Sequence, residues 1–359
     1  MILTATSGDT GKAALEGFHD VPGTRIMVFY PAGGVSPVQE AQMVTQEGGN
    51  VRVCAIRGNF DDAQTGVKNV FAACKGKDLH GAVLSSANSI NIGRLAPQVV
   101  YYFRAYADLV QAGRIRVGEK VHFVVPTGNF GDILAGYFAK RMGLPVGRLV
   151  CASNANDVLT EFISTGVYDR RRPFYKTTSP SMDILVSSNL ERLLYDMTGG
   201  NDALVASWMK SLNDAGVYTV NAEVKAKMDE LFYGGYCDEQ GTKAAIKEMF
   251  ETENYLIDPH TAVAVNVYQQ YLQETGDLET PAIIASTASP YKFAASVLEA
   301  LTGERGQGSE FDKVAELSAL TGTQIPQPIA DLQQKPLRFA QVCNIAGMEM
   351  AVLGTLGIQ

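Results

Sequence analysis

Alternation of short apolar runs with amphipathic helical stretches is the feature that most constrains how this chain can fold. Strand-like runs such as Arg25–Tyr30, Val51–Ile56 and Lys120–Pro126 alternate with helical stretches such as Pro37–Gln46 and Ala63–Cys74. The strand-like runs are mostly continuous in apolar character, which is typical of parallel strands covered by helices on both faces. The sequence therefore predicts an α/β fold with parallel-sheet, three-layer domains.

One domain boundary is predicted near Gly113–Gly118, where the long helical stretch Ile92–Gln111 ends in a short polar connection. A chain of 359 residues is also long enough for about two domains. We therefore expect a smaller α/β domain over residues 1–115 and a larger α/β domain over residues 116–359. Ligand sites in such proteins often lie between domains, and we expect the site there.

Composition argues against several classes of protein. The formal net charge of -8 disfavours a surface for nucleic acids or for anionic membranes. No apolar run reaches the roughly 18 residues that a membrane-spanning helix needs. The five cysteines are scattered and form no C-x-x-C pair, and the four histidines are also dispersed. This pattern predicts reduced thiols in a cytoplasmic protein without a structural metal site.

Four polar loops follow predicted strands and open predicted helices. They are Thr6–Gly11, Ser85–Arg94, Thr127–Asp132 and Ala285–Phe293. The N-terminus of a helix offers unpaired N–H groups and a partial positive charge, which suit a carboxylate or a phosphate. Taken singly, each loop is also compatible with an ordinary helix cap. Together, the four loops favour a small anionic ligand, most simply a phosphorylated one.

Two of these loops resemble nucleotide-binding motifs only superficially. Thr6 stands where a Walker loop requires its first glycine, and Ala13 stands where it requires a hydroxyl that binds the metal. The Thr127–Asp132 loop lacks the G-x-G-x-x-G spacing, which disfavours a dinucleotide. Within it, Asp132 is expected to cap the helix or to lie outside the contact shell, since a carboxylate repels phosphate.

The order of these loops resembles that of threonine synthase, a family of fold-type II enzymes that depend on pyridoxal 5'-phosphate (PLP). The resemblance covers nearly the whole chain and rests on Leu3–Gly11, Phe60–Asp62, Ser86–Asn91 with Arg94, Pro126–Asp132 and Thr287–Phe293. Several ordered motifs are more specific than any one of them. The Gly-Asn-Phe-Gly-Asp and Ser-Ile-Asn motifs disfavour a cysteine synthase or a dehydratase.

The resemblance implies a role for each matched position. The PLP phosphate would be held by Gly128, Asn129, Phe130 and Gly131, with Asp132 completing the motif and Thr287 facing the pyridine nitrogen. The substrate carboxylate would be received by Ser7, Gly8, Asp9, Thr10 and Gly11, and the substrate phosphate by Ser85, Asn88 and Arg94. The implied substrate is O-phospho-L-homoserine, which is converted with water to L-threonine and phosphate by elimination and hydration.

The sequence departs from the family pattern at the cofactor lysine. In the family this lysine precedes the T-S-G-D-T-G loop, and neither Lys12 nor Lys292, the lysines inside matched motifs, occupies that position. We therefore expect the Schiff-base lysine upstream of Met1 and little or no turnover by this chain. Ser289 replaces a histidine found in some branches. Two hypotheses stay open: a threonine synthase that lacks its lysine-bearing segment here, and a non-catalytic threonine synthase-like protein that binds a phosphorylated small ligand.

Overall fold

The computed structural model describes residues 1–358 and divides into two compact units. The first unit combines Met1–Asn91 with the C-terminal segment that begins at Ser289. The second unit is Ile92–Ala288. Each unit has its own parallel sheet, as the alternation of strands and helices predicted.

This division differs from the predicted domains 1–115 and 116–359. The helical stretch before residue 115 carries Leu95, Tyr102 and Tyr106, which are buried in the core of the second unit. The end of the chain, in contrast, belongs with the first unit. The apolar face of a helix shows that the helix will be buried, but it does not show which sheet the helix will cover. Local sequence patterns therefore could not predict the boundaries between the two units.

The strands within residues 1–358 follow the predicted runs closely at the start of the chain. They are β1 (Ile2–Ala5), β2 (Ile26–Pro31), β3 (Val51–Ile56), β4 (Ser85–Ser86), β5 (Val121–Pro126), β6 (Val146–Ser153), β7 (Val167–Asp169), β8 (Val217–Thr219), β9 (Phe232–Tyr236), β10 (Ala282–Ile284) and β11 (Gln341–Cys343). The strands β8 and β9 interrupt the stretch from about Asn201 to Tyr271, which the sequence predicts to be mainly helical because the residues around both strands follow helical patterns.

The α-helices within the same residues connect these strands. They are α1 (Asp9–Phe18), α2 (Pro37–Val44), α3 (Phe60–Ala73), α4 (Ile92–Leu95), α5 (Val99–Gln111), α6 (Gly131–Arg141), α7 (Val158–Thr165), α8 (Leu190–Met197), α9 (Asp202–Ala215), α10 (Ala222–Leu231), α11 (Glu239–Glu253), α12 (Pro259–Thr275), α13 (Ala294–Thr302), α14 (Glu310–Thr321), α15 (Gln327–Ala330) and α16 (Met348–Leu356). None of the helices in the described residues is long and apolar enough to cross a membrane.

The sheet of the first unit contains five parallel strands in the order β11-β3-β2-β1-β4. All four residues of β1 are buried, as expected for a strand with neighbours on both sides. The edge strand β11 pairs Val342 with Ala55 of β3, a contact that joins residues almost 300 positions apart. No local pattern predicted this pairing, because β11 is only three residues long.

The sheet of the second unit contains four parallel strands in the order β10-β5-β6-β9, and β7 and β8 form a separate antiparallel pair. The backbone pairing of β10 with β5 continues past the strand end, where the N–H of Ala285 donates to the carbonyl of Val124 (2.9 Å). Because parallel neighbours end at the same edge of a sheet, the loops that follow β5 and β10 start side by side.

The Phe60–Asp62 motif has a clear structural explanation in the first unit. The Asn59 side chain accepts a hydrogen bond from the N–H of Asp62 (2.9 Å), and the Asp62 carboxylate accepts one from the N–H of Asn59 (2.8 Å). This reciprocal capping box satisfies two donors that the first turn of α3 would leave unpaired. The motif therefore defines the start of α3.

Candidate functional site

The loop between β5 and α6 turns through a residue in the left-handed conformation. Phe130, which precedes α6, has φ 63° and ψ 1°. This conformation costs a residue with a side chain about 1–2 kcal/mol. Burial of the ring offsets the cost, because Phe130 is 1% exposed and its ring lies 5.8 Å from that of Phe232, centroid to centroid. The core of the second unit thus holds the loop in a shape that its own backbone disfavours.

The backbone N–H groups of this loop differ from its carbonyl groups in their hydrogen bonding. Within residues 1–358, no hydrogen bond joins the N–H of Gly128, Asn129, Phe130 or Gly131 to another residue. Two of the loop carbonyls, in contrast, are engaged: that of Gly128 accepts from Ser187 Oγ (2.9 Å) and that of Asn129 accepts from Asn189 Nδ2 (2.9 Å). A loop with paired carbonyls and unpaired N–H groups at the start of a helix is suited to bind an anion.

A neighbouring segment packs tightly against the loop at Gly128. A Cβ atom added to Gly128 would lie 2.7 Å from the backbone oxygen of Ser181. That distance is well inside van der Waals contact, so a side chain here requires the backbone to move. Glycine at position 128 is therefore required by the packing of the second unit.

Asp132 is held by a tyrosine hydroxyl in the first turn of α6. Tyr102 Oη donates to the carboxylate of Asp132 (3.0 Å) and lies 2.8 Å from the Asp132 backbone oxygen. Burial raises the pKa of Asp132 above its ordinary value, although the hydrogen bond from Tyr102 opposes the shift. Sequence reasoning missed Tyr102, because nothing local connects it to a loop 30 residues later.

Thr287 lies beyond the end of β10 and is exposed. The hydroxyl of its neighbour Ser286 lies 3.2 Å from Thr261 Oγ1, oxygen to oxygen, which links the segment to the start of α12. Since β10 and β5 are parallel neighbours, Thr287 and the loop at 128–131 follow the carboxyl ends of adjacent strands. The structure thus brings these two predicted elements to one edge of one sheet.

In the first unit, the loop between β1 and α1 is organised by a buried threonine. Thr6 Oγ1 accepts hydrogen bonds from the N–H of Gly8 (2.9 Å) and of Gly11 (2.8 Å). Within residues 1–358, the N–H groups of Ser7, Asp9 and Thr10 donate to no other residue. These three donors lie at the N-terminus of α1, where the helix dipole favours a negative charge.

The carboxylate of Asp9, in the same loop, is held by two side chains. Its Oδ1 accepts from Lys292 Nζ (2.8 Å) and from Gln39 Nε2 (3.0 Å). The Lys292 side chain is 19% exposed and that of Asp9 is 29% exposed, so their ion pair is partly shielded from water. Sequence reasoning placed Lys292 in a motif without a role and missed Gln39, although both belong to the first unit.

The three residues expected to bind the substrate phosphate fall in different parts of the chain. Asn88 pairs with the backbone of Ala5, accepting from its N–H (2.9 Å) and donating to its carbonyl (2.6 Å). Ser85 is exposed and belongs to β4, also in the first unit. Arg94 belongs to α4 of the second unit. Asn88 therefore has a structural role at the end of β1, which its polar neighbourhood alone did not reveal.

The described residues contain no group of three or more His, Cys, Asp or Glu side chains that could hold a metal ion. The backbone N–H groups of both loops that lack an acceptor in the described residues are suited to bind an anion. The lysines of the matched motifs are already paired, since Lys12 contacts Glu16 (2.6 Å) and Lys292 contacts Asp9 (2.8 Å).

Solved structures share this architecture. The crystal structure of PLP-bound threonine synthase from Brucella melitensis superposes with a TM-score of 0.81 at 38% identity, covering 99% of this chain and 70% of that one. Threonine synthase from yeast gives a TM-score of 0.80 at 34% identity, covering 99% and 69%. A PLP-dependent aspartate racemase shares the fold at 12% identity, covering 80% and 74%, with a TM-score of 0.52. The fold is therefore that of the fold-type II PLP-dependent enzymes.

Relatives in sequence identify the family to which the chain belongs within this class of enzymes. The family described as "Threonine synthase, C-terminal" matches residues 261–352. Human "Threonine synthase-like 1" is 42% identical over 84% of this chain and 41% of that protein. Threonine synthase from Saccharomyces cerevisiae is 38% identical over 88% of this chain and 63% of that protein. The chain belongs to the threonine synthase family, and it spans about two fifths to three fifths of the length of these curated relatives.

Proposed function

We propose that this chain provides cofactor and substrate sites of a threonine synthase, which converts O-phospho-L-homoserine and water to L-threonine and phosphate. The observation that carries the proposal is the row of four N–H groups at residues 128–131 that have no acceptor within the described residues. Membership of the threonine synthase family supports the same conclusion. When bound, PLP supplies the electron sink for the elimination.

The second unit is proposed to hold the cofactor. The N–H groups of Gly128, Asn129, Phe130 and Gly131 would bind its phosphate at the N-terminus of α6. The hydrogen bond from Tyr102 keeps the Asp132 carboxylate occupied, which limits repulsion of the phosphate. The Thr287 hydroxyl would face the pyridine nitrogen without requiring that nitrogen to be protonated.

The first unit is proposed to bind the substrate carboxylate. The free N–H groups of Ser7, Asp9 and Thr10 would donate to it at the N-terminus of α1, while Thr6 occupies those of Gly8 and Gly11. In the first unit, Ser85 is proposed to bind the substrate phosphate, whereas the role of Arg94 in the second unit stays a prediction from the resemblance. Asn88 can take part through its second amide hydrogen, since its pairing with Ala5 uses only one.

The cofactor is expected to bind without a covalent bond. Neither Lys12 nor Lys292 is proposed as the Schiff-base residue, because neither occupies the family's cofactor-lysine position, and each ammonium is paired with a carboxylate. We therefore predict that the 359-residue chain binds PLP reversibly and has little or no turnover. The test is borohydride reduction of the PLP-loaded chain followed by mass spectrometry and dialysis. A pyridoxyl adduct on a specific lysine would contradict the prediction.

A non-catalytic role is the second candidate. The same pairing of both motif lysines favours a protein that binds a phosphorylated small ligand without turning it over. Both candidates predict binding without turnover by this chain, so the coding sequence upstream of Met1 separates them. An in-frame segment that carries a lysine supports the enzyme, and a stop codon directly before Met1 supports the binding protein. Absence of binding of both PLP and O-phospho-L-homoserine by the folded chain, measured by calorimetry, contradicts both candidates.

Removal of the Lys292 charge is expected to weaken substrate binding. In Lys292→Met the Asp9 carboxylate loses its cation and leaves a negative charge beside the loop that is proposed to receive the substrate carboxylate. A partly exposed pair of this kind contributes about 1 kcal/mol, which corresponds to roughly fivefold in the Kd. Calorimetric titration with O-phospho-L-homoserine measures the effect. Lys77→Met is the matched control, because Lys77 pairs with Glu349 in an exposed position of the same unit; equal losses in both variants would contradict the prediction.

A further inference from the structure

We infer that the buried pair Asp258–His260 positions the PLP phosphate loop through Ser181, so that His260 is a positioning residue for the cofactor. The inference rests on the proposed function, because it takes the loop at 128–131 to be the phosphate site. It concerns only residues of the second unit. Neither the motifs quoted from the sequence nor the loop itself includes this pair.

The two side chains form a closed hydrogen-bonded pair at the start of α12. Asp258 is 0% exposed and His260 is 2% exposed, with Nδ1 of the histidine 2.8 Å from Oδ1 of the aspartate. On the other side of the ring, the backbone N–H of Ser181 donates to Nε2 (3.2 Å). Because Nε2 accepts a hydrogen bond, the ring proton lies on Nδ1 and is donated to Asp258. His260 is thus held as one neutral tautomer.

The carboxylate of Asp258 stays ionised despite its burial. Burial alone would raise the pKa of Asp258, but hydrogen bonds from His260 and from the Thr261 hydroxyl hold it below its ordinary value. Asp258 also accepts hydrogen bonds from the N–H groups that open α12. This arrangement leaves His260 little freedom to rotate, so that Nε2 presents a fixed acceptor to the Ser181 peptide.

The Ser181 peptide links this acceptor to the phosphate loop. Its N–H is held by His260, and its carbonyl oxygen lies where a Cβ of Gly128 would clash, at 2.7 Å. On the opposite side of Asp258, Thr261 donates to Asp258 and contacts Ser286, the neighbour of Thr287. One buried pair is therefore connected to both segments that are proposed to hold PLP.

Two substitutions separate the two hydrogen bonds of the ring. In His260→Asn the amide nitrogen can replace Nδ1 and keep the bond to Asp258, but no acceptor reaches Ser181. In His260→Gln the amide oxygen can replace Nε2 and keep the bond from Ser181, but Asp258 loses its donor.

Loss of the Ser181 bond is expected to weaken PLP binding about tenfold in His260→Asn, the size expected for one buried hydrogen bond. His260→Gln is expected to stay within about threefold of the wild type, yet to lose more thermal stability, since a buried carboxylate loses its partner.

The inference is tested by comparing the two variants, since one is expected to lose more PLP affinity and the other more thermal stability. PLP affinity is measured by fluorescence titration, thermal stability by circular dichroism, and the environment of the bound phosphate by its 31P resonance, which is expected to move in His260→Asn only. Affinity losses that follow the losses of stability in both variants, or unchanged affinity in both, would overturn the inference. If the wild-type chain itself does not bind PLP, the proposed function fails. The inference is then judged on amide hydrogen exchange without ligand, where Ser181 must exchange faster in His260→Asn than in His260→Gln.

Discussion

Replacing Gly128 with alanine is expected to abolish measurable PLP binding at cofactor concentrations that saturate the wild-type chain. The new Cβ would lie 2.7 Å from the backbone oxygen of Ser181, and a backbone atom cannot yield as the end of a flexible side chain can. The loop at residues 128–131 must therefore shift away from Ser181, which displaces the N–H groups proposed to bind the phosphate. Overpacking of this kind also destabilises a fold by about 1–3 kcal/mol. Fluorescence titration with PLP and chemical unfolding measure the two effects.

The matched control is Gly17→Ala, in α1 of the first unit. A Cβ at Gly17 would meet nothing within 4 Å, and alanine in a helix is favoured over glycine by about 0.5–1 kcal/mol. We expect this variant to bind PLP as the wild type does and to be slightly more stable. A Gly128→Ala chain that folds and binds PLP with wild-type affinity would show that this loop is not the phosphate site.

Replacing Thr6 with valine is expected to destabilise the first unit and to disorganise the proposed carboxylate loop. Valine keeps the shape of threonine but removes the oxygen that accepts from the N–H groups of Gly8 and Gly11. Each buried donor left unpaired costs about 1–3 kcal/mol, so the total loss is about 2–6 kcal/mol. Urea unfolding measures the loss, and calorimetry with O-phospho-L-homoserine measures the expected weakening of substrate binding.

The chain supplies a control of the same chemistry in β1, the strand that precedes Thr6. Thr4 is also buried, but within the described residues its hydroxyl has no hydrogen-bond partner. Thr4→Val therefore removes an unsatisfied polar group, and we expect the variant to be as stable as the wild type or more stable. Thr6→Ser, which retains the acceptor oxygen, should recover much of the loss. Equal destabilisation by Thr4→Val and Thr6→Val would contradict the role assigned to the Thr6 hydroxyl.

Buried parallel strands are the part of this fold that is most directly predictable from sequence. The run Val51–Ile56 is identical in the prediction and in β3, because five of its six residues are apolar and buried, with only Arg52 exposed. The start of a helix can also be predicted from residues that are close in sequence. Asn59 and Asp62 cap α3 through contacts only three residues apart, so their spacing alone indicates the helix.

The organisation of the proposed sites is harder to predict from sequence, because it depends on contacts between residues that are far apart in the chain. The loops Thr6–Gly11 and Thr127–Asp132 are recognisable by their glycines and hydroxyls, whereas the residues that shape them are not. Lys292 reaches Asp9 from 283 positions away, and Tyr102 and Ser181 reach the phosphate loop from opposite sides in sequence. Such contacts depend on which elements pack together, which no window of neighbouring residues encodes.

The parallel α/β architecture, the polar loops and the resemblance to threonine synthase were all predictable, since each follows from local pattern or from the order of motifs. The three-dimensional structure was needed to show that the chain from Ser289 onward returns to the first unit and that β11 pairs with β3. It also showed that Asp258 and His260 form a buried pair beside Ser181. These contacts depend on three-dimensional packing, because burial and hydrogen bonding join residues whose separation in sequence carries no information about their distance in space.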